Sequence, residues 1–203
     1  MARLLLIRHA PTSETGRMLS GRLTGKSLSP RGQEMAEALA IELRSTRLAA
    51  IYSSPLERAM ETATPIAAAQ RKKVTVHEGL VEVDYGSWSG RSLKSLYRLR
   101  LWRVVIRTPS RASFPGGESI AEAQHRMVST CEELAARHKE KTVALVTHGD
   151  PIKAAVSHFL GQPLDLFNRI AIAPASVTVL DLPSGGWPRL VTLNSGGNPS
   201  TWQ

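Results

Sequence analysis

The 203-residue chain predicts a three-layer α/β/α sandwich with a mostly parallel central sheet. Short aliphatic or β-branched runs recur along it, and they are mostly unbroken rather than alternating with polar residues, as a sheet covered on both faces requires. Between these runs lie segments with apolar residues at helical spacing. The two kinds of segment alternate in order, which suits parallel strands because each crossover between them carries a helix.

The first strand is expected at residues 3–7. A helix follows, opened by Ser29-Pro30 as N-cap and first-turn pair, with Met35, Leu39 and Leu43 joined by Ala36 and Ala40 on one face. Residues 49–52 read as a second strand. The helical stretch from Pro55 carries Ala59, Met60 and Ala63, and Pro65 is expected to kink or divide it. Another strand is expected at residues 74–77. Ser119-Ile120-Ala121-Glu122 is a capping box, and Ile120, Ala123, Met127, Cys131 and Leu134 continue its helix toward Arg137. After a strand at residues 143–147, Asp150-Pro151 opens a helix with Ile152, Ala155, Val156, Phe159 and Leu160 on one face and Gly161 as its stop. Residues 177–182 form the last expected strand, followed by a Ser-Gly-Gly-Trp-Pro turn and a loose tail over about 184–203. Without an internal repeat or an interdomain linker, residues 1–203 read as a single domain.

Composition narrows the function. No apolar run approaches the roughly 18–20 residues needed to span a bilayer, so no membrane partner is expected. The apolar N-terminal run is short and leads into Arg8-His9 rather than a small-residue cleavage site, which points to the cytoplasm. The lone Cys131 allows neither an intrachain disulfide nor a cysteine-rich zinc site, and its place on a helical apolar stripe makes it a buried, inert thiol. A net charge of +9 attracts phosphate, acidic metabolites, nucleic acid or anionic lipid alike. Nucleic acid is the disfavoured partner, because Lys and Arg form no run of five and aromatic residues make up only 5%.

Ligands of open α/β sheets bind at the carboxyl ends of parallel strands, and three ionisable elements sit at such ends. Arg8-His9 follows the first strand, Arg58 lies in the opening turn of the second helix, and His148-Gly149 stands between a strand and a helix N-terminus. Each alone is an ordinary surface or strand-end feature. Together they would place two guanidiniums, two imidazoles and several free amides around one small volume, which is what a phosphoryl group needs.

Five ordered motifs carry a family likeness. They are Leu6-Ile7-Arg8-His9-Ala10-Pro11-Thr12, then Ser53-Ser54-Pro55-Leu56-Glu57-Arg58-Ala59 with Glu61-Thr62-Ala63, then Leu80-Val81-Glu82-Val83-Asp84-Tyr85-Gly86-Ser87-Trp88-Ser89-Gly90, then Phe114-Pro115-Gly116-Gly117-Glu118-Ser119, and finally Val146-Thr147-His148-Gly149-Asp150. Over roughly residues 3–182 the chain resembles the histidine phosphatase superfamily, also called the phosphoglycerate mutase-like family. That resemblance implies that His9 is the nucleophile and forms a phosphohistidine, that Arg8, Arg58 and His148 hold the phosphoryl oxygens, and that Glu82 is the acid–base residue. Ser20 and Gly21 would let backbone amides approach the phosphoryl group, and Gly149 would do the same beside His148. Two departures stand out: Ala10 replaces the usual Gly, and the usual Trp-Asn pair is absent, leaving Thr15 as the candidate contact in a loop about one residue shorter.

The physical chemistry agrees with these roles. An imidazole attacks only with an unprotonated nitrogen, and neighbouring Arg charges disfavour imidazolium while stabilising a transition state whose equatorial oxygens are negative. A leaving alkoxide needs a proton, and the acid that gives it can afterwards activate water. The resemblance therefore implies a metal-independent phosphomonoester hydrolase that needs no cofactor, with a small phosphorylated metabolite or inorganic phosphate as ligand and a homodimer as an allowed assembly. A mutase returning the phosphoryl group to a hydroxyl is the alternative, disfavoured because the family's mutases look longer in the variable lid, here about residues 93–118. From other classes, a non-catalytic phospholigand-binding regulator and a basic nucleic-acid partner are the rivals. Arg98, Arg100, Arg103, Arg107 and Arg111, with Trp102, make the lid segment either a selector of acidic substrates or a solvated basic face.

Overall fold

The computed structural model describes residues 1–202. In chain order its elements are β1 (Ala2–Arg8), β2 (Met18–Leu19), α1 (Pro30–Glu42), β3 (Leu48–Ser53), α2 (Glu57–Ala69), β4 (Val74–Val76) and β5 (Arg91–Ser92). Then come α3 (Leu93–Leu96), α4 (Arg100–Arg107), α5 (Ile120–Arg137), β6 (Thr142–Thr147), α6 (Gly149–Phe159), β7 (Val177–Leu182) and β8 (Arg189–Ser195). Six strands form the main sheet in the order β4-β3-β6-β1-β7-β8, and β2 pairs with β5 apart from it. The strands β4, β3, β6 and β1 run parallel, while β7 and β8 are antiparallel additions on one side.

Side chains alternate across a strand, and β1 uses both faces. Leu4 and Leu6 enter a core with Met127, Leu134 and Ile152 of α5 and α6, whereas Leu5 and Ile7 enter a second core with Leu39, Ala63 and Ile66 of α1 and α2. The unbroken apolar run of β1 is thus the mark of a strand sandwiched between two helical layers. The expected three-layer α/β/α architecture is what forms.

Capping fixes the two best-defined helix starts. Ser29 Oγ accepts the Gly32 N–H at 3.1 Å and donates to Pro11 O at 3.0 Å, so the cap of α1 also fastens the loop that follows His9. Ser119 and Glu122 close a reciprocal capping box on α5. Cys131, inside α5, is fully buried, and burial pushes its thiol up to about 12.

Three local expectations are corrected. Pro65 does not divide α2, which runs through it: the lost N–H bond costs about 3 kcal/mol, and burial of Ala59, Ala63, Ile66 and Ala67 against the sheet keeps both halves in one helix. His77 leaves the strand and caps a short turn, its Nδ1 accepting the Gly79 N–H at 3.1 Å. The segment expected as a loose tail instead supplies β8, paired with β7, and Trp202, which is 5% exposed and donates from Nε1 to Ser195 Oγ at 3.1 Å.

The segment expected as a lid carries α3, α4 and a turn at Pro109–Arg111, packed on a third apolar cluster that includes Trp88, Leu96, Val105 and Phe114. Trp102 stacks on Trp88 at 6.0 Å. Arg98, Arg100, Arg103, Arg107 and Arg111 are all exposed, which is the arrangement of a solvated basic face. Among the described residues no helix is long and apolar enough to cross a membrane.

Candidate active site

Three parallel strands end side by side. The His9 N–H donates to Thr147 O and the Ser54 N–H to Val146 O, both at 2.9 Å, so β1, β6 and β3 deliver their last residues to one edge. A cleft of about 230 Å³ opens there, and its wall includes Arg8, His9, Arg58 and Glu82.

His9 is 7% exposed. Its Nδ1 lies 2.7 Å from Ala10 O; a carbonyl can only accept, so Nδ1 carries the proton and Nε2 presents its lone pair. Arg58 Nε donates to that lone pair at 3.2 Å. Burial and the Arg58 charge, with a smaller push from Arg8 and against the Ala10 bond, hold the imidazole at about 3, so it is neutral near pH 7.

Arg58 stands in the first turn of α2 and donates from Nη2 to Gly21 O at 2.7 Å. Arg8 donates from Nη1 to Ile172 O. Each guanidinium also keeps one buried nitrogen, Arg58 Nη1 and Arg8 Nε, that meets no acceptor. A buried unpaired donor is expensive, and two of them on the guanidiniums next to an unprotonated imidazole suit an anion.

His148 is fully buried behind the cleft wall, its ring centroid 5.1 Å from that of His9. Its Nε2 is 2.8 Å from Ser54 Oγ, and its Nδ1 has no hydrogen-bond partner and lies 3.9 Å from Glu82 Oε2. Burial, repulsion between the two rings were His9 also protonated, and the Arg58 and Arg8 charges keep this ring neutral, well below the ordinary histidine range.

Glu82 takes the Val83 N–H on Oε1 at 2.9 Å. Burial and the Asp150 charge push its carboxyl up to about 7, against the pull of Arg58. Its backbone is held from outside: Arg22 Nε donates to Glu82 O at 2.8 Å, and Arg126 Nη1 donates to Gly79 O and Val81 O. Glu118 Oε1 accepts from both of those arginines and from the Asp84 N–H, which makes it the buttress of this loop.

The remaining expected residues line the same cleft. Thr15 Oγ1 accepts the Thr12 N–H at 2.9 Å, so its hydroxyl is tied to its own loop, and Ser20 Oγ donates to Glu14 Oε2 at 2.9 Å. Gly21 has φ +55°, which favours glycine, and a Cβ there would lie 2.7 Å from Ser89 Oγ, a side chain that would have to turn away. Gly149 is different: a Cβ would make only ordinary contact with Arg8 Nε at 3.4 Å, so its place at the α6 N-terminus matters more than its size. Ala10, the departure from the usual Gly, is buried against Leu28 and Ala36, and its N–H donates to Thr62 Oγ1 at 3.0 Å.

Sequence reasoning passed over Thr12, Tyr85, Asp150 and Lys153, which also line the cleft. Asp150 is expected as a helix opener and as the last residue of the fifth motif, with no role of its own in the site. Its position next to His148-Gly149 was the available signal, and Lys153 follows it by one helical turn on α6.

A model of the histidine phosphatase superfamily (branch 1) matches residues 4–196. The chain belongs to that superfamily. This histidine phosphatase is 34% identical over 189 residues to phosphoserine phosphatase 1 of Hydrogenobacter thermophilus, spanning 90% of the chain and 87% of the relative. It is 32% identical over 192 residues to a 2,3-bisphosphoglycerate-dependent phosphoglycerate mutase of Thermoplasma acidophilum, spanning 94% and 91%. Among solved structures, a phosphoserine phosphatase mutant from Entamoeba histolytica in complex with phosphoserine is similar with a TM-score of 0.85 at 26% identity, covering 98% of this chain and 99% of that one. Fold and enzyme class therefore agree with the expectation from the five motifs.

Proposed function

We propose that the chain hydrolyses a small phosphomonoester through a phosphohistidine on His9. The observation that carries this reading is the unprotonated Nε2 of His9, set by the Nδ1–Ala10 bond and held by Arg58 Nε, with Arg58 Nη1 and Arg8 Nε left as buried donors without acceptors. The Arg8 and Arg58 donors would take the phosphoryl oxygens, and His9 Nε2 would form the N–P bond as the ester P–O bond breaks. Glu82, protonated up to about 7, would give its proton to the departing alkoxide. The resulting carboxylate would then take a proton from water as that water attacks phosphorus, releasing phosphate and restoring His9 and Glu82. His148 would add a neutral donor in the tautomer in which Ser54 Oγ donates to Nε2 and the proton is on the partnerless Nδ1. Among the described residues no group of three His, Cys, Asp or Glu side chains is arranged to hold a metal ion, and the two arginines offer the positive charge that such an ion would bring.

Small phosphorylated metabolites are the substrate class that supports best, since the cleft is small and the relatives named above act on phosphoserine and phosphoglycerate. A cytoplasmic setting belongs to the same reading, supported by the single, buried Cys131. The test is turnover of a chromogenic aryl phosphate with and without chelator. Chelator-resistant activity that disappears in His9→Ala is expected; metal dependence, or an active His9→Ala protein, would reject the mechanism. The likeness to the Thermoplasma acidophilum mutase keeps phosphoryl transfer between hydroxyls as a second reading. It would show as phosphoryl exchange outpacing phosphate release.

A further inference from the structure

The cleft carries a pair of opposite charges that the steps above leave unused. Lys153 Nζ donates to Asp150 Oδ1 at 2.9 Å, and both side chains line the cleft, 22% and 26% exposed. Tyr85 donates to the other carboxylate oxygen, Asp150 Oδ2, at 2.7 Å, so the acid is fixed from two sides. Capacity remains on both partners: a carboxylate offers about four acceptor positions and an ammonium three donors. The Arg8 and Arg58 donors set the phosphoryl end of a substrate, and the alcohol must then lie toward the acid Glu82. Asp150 borders Glu82 closely enough for its charge to raise that carboxyl. Asp150 and Lys153 line the same cleft as Glu82, so the substituents of the alcohol come within their reach.

We infer that Asp150 and Lys153 form a subsite for an alcohol bearing both an ammonium and a carboxylate, so that the substrate is an amino-acid phosphomonoester. A lone carboxylate drawn to Lys153 would oppose Asp150, and a lone ammonium on Asp150 would oppose Lys153. A zwitterion satisfies both and makes four alternating charges. The exposed arginines of α4 lie outside the cleft wall and cannot make this selection. The inference rests on the proposed hydrolysis at His9.

Three esters separate the charges: O-phosphoserine has both groups, 3-phosphoglycerate has a hydroxyl in place of the ammonium, and phosphoethanolamine lacks the carboxylate. Their kcat/KM values would be compared in the unaltered chain, in Lys153→Met and in Asp150→Asn, and the same esters titrated calorimetrically into His9→Ala. The unaltered chain is expected to favour phosphoserine over each rival by about tenfold or more, the size of one charge-assisted contact. Lys153→Met should collapse the preference over phosphoethanolamine, and Asp150→Asn the preference over 3-phosphoglycerate. Each ratio is taken within one preparation, so partial unfolding cancels. Equal ratios in all three proteins overturn the subsite. Selective binding to His9→Ala without turnover by the unaltered chain would overturn hydrolysis and leave the subsite standing, while unselective binding without turnover overturns both.

Discussion

Two residues with opposite protonation requirements share the site, and their environments push them apart. In the proposed mechanism His9 must be neutral, and it is held at about 3; Glu82 must be protonated, and it is held at about 7. The rate profile should therefore fall below about 3 as His9 takes a proton and above about 7 as Glu82 loses one, placing the maximum on the acid side. A phosphomonoester titrates near about 6 itself, so the assignment is checked with Glu82→Gln. That variant should lose about 10²- to 10⁴-fold in kcat on an alkyl ester and lose the alkaline limb; an unchanged limb would remove Glu82 from the acid role. Stability moves in the same directions, over different pH windows. Between pH 6.5 and 3 an unfolded chain takes a proton that buried His9 refuses, so His9 weakens the fold as pH falls, whereas Glu82 weakens it as pH rises from 4.5 to 7. The five motif residues were legible in sequence because strand ends and a family likeness mark them. Lys153 and Tyr85 were not, since their cleft-facing positions depend on how α6 and the loop after Glu82 are placed.

At the scale of elements, the loop after β1 is held by the helix it leads to. A Cβ on Gly32 would lie 2.1 Å from Pro11 O, closer than any real contact, because α1 presses on that loop. Helix propensity alone favours alanine by about 1 kcal/mol. Gly32→Ala should nevertheless destabilise by about 1–3 kcal/mol, as overpacking does, and lower activity by moving His9; urea unfolding followed by tryptophan fluorescence reads the first effect. A neutral or stabilising result would mean that the contact relaxes freely. The helices and buried strands were readable because their apolar residues repeat with a clear period. Strand β8 was not, because most of its residues are only partly covered and it follows Gly185-Gly186, which reads as the end of ordered chain. Pro65 misled for the converse reason: a local rule was outweighed by burial that only the tertiary fold supplies.

For the whole molecule, the excess of nine positive charges is a property of the surface more than of the cleft. The five arginines of the α4 region are exposed, whereas Arg8 and Arg58 are paired with backbone carbonyls at the strand edge. Sequence charge thus pointed toward anions without locating where one would bind. The register of the central strands did the locating, since Arg8 stands opposite Thr147 in the β1–β6 pairing and Ser53 opposite Val146 in the β3–β6 pairing. No single segment owns the reactive centre; it exists only once strands distant in sequence have found each other. Catalysis is then a gauge of native pairing. In a denaturant series, turnover should vanish together with, or ahead of, the loss of tertiary fluorescence, and activity outlasting that loss would show the centre surviving without the sheet that assembles it.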